Sequence, residues 1–112
     1  MAVTDNRVID IVSIDKEGNT VLTISDHLDW SNTHDHLVLL QDKMNGYLAF
    51  IESGEIYDSY PSARNRPIRI KVVFQHEPDS EGYGFLSRAK SIVEGAGFVF
   101  GFDLLAKSPP LM

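Results

Sequence analysis

The chain has 112 residues, 43% of them apolar and 23% charged, and its 16 acidic side chains against 10 basic ones give a net charge of −6. A chain of this length buries roughly two thirds of the surface its unfolded form exposes. One core without a staple is therefore expected, as a single domain over 1–112 with 1–6 and 106–112 as tails. Cysteine is absent, which removes disulfides, cysteine-based zinc sites, iron–sulfur clusters and thiol nucleophiles.

No apolar run approaches the roughly 20 residues that span a bilayer, and Met1-Ala2-Val3-Thr4-Asp5-Asn6 lacks the basic and apolar regions of a secretory signal. The expected setting is the cytoplasm, away from membranes. Acidity disfavours nucleic acid and anionic lipid and suits a basic protein partner.

In chain order, Arg7 to Ile14 reads as a strand and Asp15 to Asn19 as a glycine-containing turn. Two phases compete in that strand, Ile9 and Ile11 against Val8, Val12 and Ile14; Asp10 sits with the latter set, which favours Ile9 and Ile11 inward. Thr20 to Asp26 is the returning strand, with Leu22 and Ile24 toward the core and Val21, Thr23 and Ser25 opposite. A long helix is expected from Trp30 to Ser53, capped by Asp29 and stopped at Gly54. At about 100° per residue, Trp30, Thr33, Leu37, Leu40, Met44, Tyr47, Leu48 and Ile51 share one stripe. A second row, Leu39, Gly46 and Phe50, widens the apolar surface beyond what a sheet face usually covers, and a tail or a second subunit is expected over it.

Residues 55–67, with Tyr57, Tyr60, Pro61 and Pro67, read as a connection without regular structure. Pro67 to His76 alternates cleanly, Ile68, Ile70, Val72 and Phe74 inward. Pro78-Asp79-Ser80 opens a second helix with an apolar arc of Phe85, Leu86, Ala89, Ile92, Val93 and Ala96, stopped by Gly95 and Gly97. Phe98 to Leu105 is a last strand with Phe98, Phe100, Phe102 and Leu104 inward. The order ββαβαβ implies an α+β fold, a four-stranded mixed sheet carrying both helices on one face, because right-handed crossovers place them together. The opposite face, with Val21, Thr23, Val73, Gln75, Val99 and Gly101, is left bare.

One segment looks chemical. Asp26 to His36 holds three of the four histidines and three aspartates, which makes His27, Asp29, His34 and His36 candidates for acid–base catalysis. No metal is expected. His34 and His36 point about 200° apart on a helix and lack the i, i+4 spacing that grips zinc. In the plainer reading Asp29 caps, Trp30 packs, His34 and Asp35 are solvated, and His27 ties the strand end to the helix. Arg64, Arg66, Arg69 and Lys71 concentrate four of the basic residues beside Tyr57 and Tyr60 and are candidates for anion binding. On an exposed strand, Arg69 and Lys71 also serve to discourage edge pairing. Gly82-Tyr83-Gly84 and Gly95-Ala96-Gly97 lack the context of a phosphate loop, no GxSxG occurs, and no cofactor is expected.

The segments Ile24 to Trp30, with its DHLDW junction, and Leu39 to Glu55, an LLQxKxNxYLxFIESGE helix, resemble a family of small uncharacterised bacterial proteins. The resemblance runs through most of the chain and implies a bacterial protein whose hallmark is the strand-to-helix junction and long helix. The family brings no assigned activity, so no residue role carries over.

Two functions compete. The first is a non-enzymatic interaction module, a homodimer using Leu39, Phe50, Val73 and Val99, with an acidic inhibitor or immunity-type protein as its narrower form. The second is a small enzyme or ligand binder working through the His/Asp cluster.

Overall fold

The computed structural model describes residues 11–104. Its elements are β1 (Ile11–Ile14), β2 (Thr20–Asp26), α1 (Thr33–Glu52), α2 (Glu55–Ser59), a 3-10 turn (Pro61–Ala63), β3 (Ile68–Phe74), α3 (Ser80–Gly95) and β4 (Val99–Leu104). The tails expected at 1–6 and 106–112, and the inward position given to Ile9, lie outside the described residues.

The strands lie side by side in sequence order, β1 antiparallel to β2 and β2, β3 and β4 mutually parallel. This is the α+β mixed sheet read from the sequence. Two successive crossovers running in the same direction put α1 and α3 on one face. Leu22, Ile24, Ile70, Val72, Phe74 and Phe100 meet Leu40, Met44, Tyr47, Ile51, Leu86 and Val93 there in one buried cluster. Each such side chain is worth about 1.5–3 kcal/mol of burial. Asp15 closes the β1–β2 hairpin by accepting from the Glu17 and Asn19 amides, and Gly18 supplies its left-handed position at φ 86°.

Several expectations are corrected. Val12 lies opposite Leu22 and packs against the core, whereas Ile11 pairs with Thr23, so β1 takes the Val12 phase rather than the one through Ile9 and Ile11. The long helix begins at Thr33, not Trp30, and its N-cap is Asn32, whose side chain accepts from the Asp35 amide, not Asp29. Gly54 ends it as expected, left-handed at φ 84°. The buried stripe of α1 is His36, Leu40, Lys43, Met44, Tyr47 and Ile51, so the helix is turned toward two polar residues that an apolar count leaves out. The 55–67 connection is not irregular: it folds into α2 and the 3-10 turn, and Ile56 and Ala63 are buried there.

On α3, Leu86, Ala89 and Val93 are buried, but Ile92 is 64% exposed and Ala96 is exposed. The helix touches the sheet along a narrower arc than its sequence offers. On β4 the parity is right and the burial is not. Phe100 is buried, yet Phe102 and Leu104 are 39% and 43% exposed, because β4 is the edge of the described sheet.

Candidate functional site: the junction at the carboxyl edge of the sheet

All four histidines of the chain, His27, His34, His36 and His76, sit in or beside the loops leaving the carboxyl ends of β2 and β3. Asp26 is the last residue of β2 and shares the inward parity of Leu22 and Ile24. Its carboxylate is thereby carried into the core, and a buried carboxylate requires a partner. The partner is His36, in the first turn of α1: His36 Nε2 lies 2.5 Å from Asp26 Oδ2, with the two side chains 2% and 0% exposed.

The rest of the loop is built around this pair. Asp26 Oδ1 accepts from the Leu28 amide at 3.1 Å. His36 Nδ1 lies 2.9 Å from the carbonyl oxygen of Asp29. That oxygen only accepts, so Nδ1 is the donor in this bond. Trp30 stacks on the imidazole at 3.8 Å and 22°, and its indole N–H donates to the His76 carbonyl at 3.1 Å, tying the loop to the end of β3. Thr33 donates its hydroxyl to Asp79 Oδ2, while Asp79 Oδ1 accepts from the Gly82 amide as the N-cap of α3. β2, α1, β3 and α3 are thus locked together at one place. Gly82 is required there, since a Cβ would lie 2.8 Å from Pro78 Cβ and 3.0 Å from the Trp30 ring.

The candidate residues named from sequence part company in this geometry. His36 is sealed inside with Asp26. Asp29 is exposed; its carboxylate accepts from the Ser31 hydroxyl at 2.7 Å and the Ser31 amide at 3.1 Å. Those bonds hold its carboxyl below the ordinary range, and the histidines 76 and 36 nearby add to the effect. His27 and His34 are exposed on the rim. Among the described residues, no group of three or more His, Cys, Asp or Glu is placed to hold a metal ion. Sequence reasoning did not single out Asp26, although a carboxylate in phase with Leu22 and Ile24 is the signal that would have found it.

The basic candidates divide between two places. Arg64 lies over the Tyr57 ring at 5.6 Å, and Arg66 donates to the carbonyls of Ser62 and Gly18, bracing the hairpin turn. Arg69 and Lys71 line a depression of about 380 Å³ on the sheet face turned away from α1 and α3, together with Asp15, Glu17 and Asp103, and Lys71 pairs with Asp103 at 3.0 Å; that face is not bare as expected, since Val21 on it is only 7% exposed. Acids offset bases there. Lys43, not anticipated, is fully buried on α1 with its ammonium 5.5 Å from the centre of the Tyr47 ring, and the Tyr47 hydroxyl donates to the Thr23 carbonyl.

Of the interaction candidates, Leu39 and Phe50 are partly buried against the core, Phe50 edge-on to Tyr60 at 6.4 Å. The chain itself therefore supplies part of the cover expected from a tail or a partner. Val73 is half-buried on the face turned away from the helices and Val99 is 45% exposed. An apolar groove of about 260 Å³ runs between α1 and α3 past Met44, Leu48, Phe85 and Ile92. No helix among the described residues is long and apolar enough to cross a membrane.

Residues 1–106 match the model of a family of unknown function, DUF6572, and the chain belongs to that family. No curated protein and no solved structure matches it.

Proposed function

We propose that this DUF6572 protein acts by binding protein rather than by catalysis, and that it binds a second copy of itself. The observation that carries the reading is the contrast between the two ends of the polar and apolar inventory. The His–Asp pair that would supply acid–base chemistry is sealed and spent on internal bonds. Meanwhile Val99, Phe102 and Leu104 on β4, and Tyr83 of α3 beside Phe102, are 38–45% exposed. Large apolar side chains gathered in one exposed region favour association. Leu39 and Phe50 recede from the interface in this reading, and Val99 stays in it.

Net charge −6 makes a basic protein the favoured heterologous partner, as for an acidic inhibitor, with association slowing as salt rises. Such a protein belongs in the cytoplasm. The test of self-association is the mass in solution across a concentration series. Growth toward twice the 12.5 kDa of one chain supports it, and a constant single-chain mass removes it.

The rival reading, catalysis through His27, Asp29, His34 and His36, requires these side chains to meet in one cleft. The burial of His36 opposite the exposure of the other three weighs against it.

A further inference from the structure

Accepting the self-association just proposed, we infer that its interface is β4 itself, paired antiparallel with β4 of a second copy to make one continuous sheet of twice four strands.

Among the described residues β4 has a strand neighbour on one side only. Its outer row of backbone donors and acceptors is therefore a template for another strand. Natural edge strands blunt that template with lysine, proline, bulges or brevity. β4 has six residues, VFGFDL, with no proline and no basic residue, and its single charge, Asp103, is taken by Lys71 of its own chain at 3.0 Å. The other edge differs: β1 is four described residues, IVSI, running into the charged turn Asp15-Lys16-Glu17.

The occupant is a second copy because the strand is its own complement. In a molecule of charge −6, like copies repel in general, but β4 is locally neutral, so this edge is where two copies approach at least electrostatic cost. Parity restricts the register. Residues opposite one another in an antiparallel pair must point to the same face, so even-numbered positions face even-numbered ones. Centring the pair on Asp103 would oppose two like charges, which is unfavourable. Centring it on Phe102 opposes Phe102 to its copy and Phe100 to Leu104, joining the aromatic run of Phe74, Phe102 and Tyr83, whose ring centres are about 6 Å apart, across the two-fold axis.

The area is small. At roughly 150–250 Å² for a large side chain, exposures of 38, 45, 39 and 43% at Tyr83, Val99, Phe102 and Leu104 give about 300 Å² per copy. Two copies together would bury about 600 Å², below the roughly 1,000 Å² total of a firm interface before backbone and flanking atoms are added. The dimer is accordingly weak and concentration-dependent.

The absence of cysteine allows a direct test. Phe102→Cys brings two thiols within disulfide reach across the axis, since opposed strand residues have Cα atoms about 4.5–5.5 Å apart. Ile92→Cys, 64% exposed at the α1–α3 groove and away from β4, is the control. Mild oxidation is expected to cross-link Phe102→Cys at least tenfold faster than Ile92→Cys. The unaltered protein supplies a second reading. Amide exchange at Gly101 to Asp103 is expected to slow as protein concentration rises, with circular dichroism verifying that each variant is folded. A concentration-dependent dimer in which Ile92→Cys links faster and the β4 amides do not respond overturns the β4 interface while leaving self-association standing. A monomer at every concentration overturns both. Protection of β4 that is independent of concentration means that the chain's own residues cover the edge, and also overturns the proposal.

Discussion

Removing the imidazole at position 36 is the sharpest perturbation of the junction. In His36→Ala, the Asp26 carboxylate is left 0% exposed without its 2.5 Å partner, and Trp30 loses the ring it stacks on at 3.8 Å. Breaking a buried pair by deleting one member costs about 3–5 kcal/mol, against about 0–1 kcal/mol for a pair exposed to water. Because domains of this size have about 5–15 kcal/mol in total, the variant should be folded but visibly weakened. Asp26→Asn keeps an acceptor for the Leu28 amide and places an amide against the ring nitrogen, so its loss is smaller. Asp26→Ala combined with His36→Ala should cost clearly less than the sum of the two single changes, since neither leaves an orphaned charge for the other. Trp30, the chain's only tryptophan, touches the pair and reports unfolding by its fluorescence in a urea titration, the midpoint falling while the slope stays constant. A loss below about 1 kcal/mol for His36→Ala, of the size seen for exposed pairs, or strict additivity in the double variant, would refute the assignment of this pair as the junction's buried lock.

Gly82→Ala should destabilise the fold by about 1–3 kcal/mol through crowding of Pro78 and Trp30. Gly84→Ala, whose nearest neighbour is the flexible end of Arg88 at 3.7 Å, should instead stabilise α3 by about 0.5–1 kcal/mol; thermal denaturation of the two variants compares them. The Asp79 carboxyl is held below its ordinary 3.8 by the Thr33 hydroxyl and then by the Gly82 amide. A lowered folded-state value gives stability that is complete above 3.8 and fades as pH falls through the lower value. Asp79→Asn should therefore flatten the acid side of the stability–pH curve, measured by denaturation from neutral pH downward, and an unchanged curve would contradict the bond. Ile92→Ser, at a position 64% exposed, should leave the free energy of unfolding within about 0.5 kcal/mol of the original in a urea titration.

The parts of the fold that could be read from sequence were those in which one local rule decides the outcome. β3 is central and covered on one face, so its strict alternation at Ile68, Ile70, Val72 and Phe74 reports burial directly. Gly54 and Gly97 mark helix ends because both adopt the left-handed conformation there. The misreadings share a cause, the assumption that burial follows apolarity. His36 and Lys43 lie in phase with Leu40 and Tyr47 and are buried with them, yet an apolar stripe drawn through α1 omits both and drifts toward Thr33 and Leu48. That stripe draws Trp30 into the helix, whereas its ring is held in the loop by His36 and its N–H by the His76 carbonyl, contacts that span up to 46 residues and leave no local pattern. The candidate site was legible only as a location. Its partner, Asp26, was hidden because a residue closing a strand reads as a turn former. Correct periodicity points Ile92, Phe102 and Leu104 inward, but their exposure is set by how the elements pack on one another, which is a tertiary fact.

Sedimentation equilibrium from micromolar to near-millimolar concentration tests the central claim most directly. The account predicts a mass rising from 12.5 kDa toward twice that value. It also predicts that Phe102→Lys, which adds a charge to the edge of β4, returns the protein to the single-chain mass while circular dichroism shows it still folded. A single-chain mass at every concentration, or a dimer indifferent to Phe102→Lys, would contradict it.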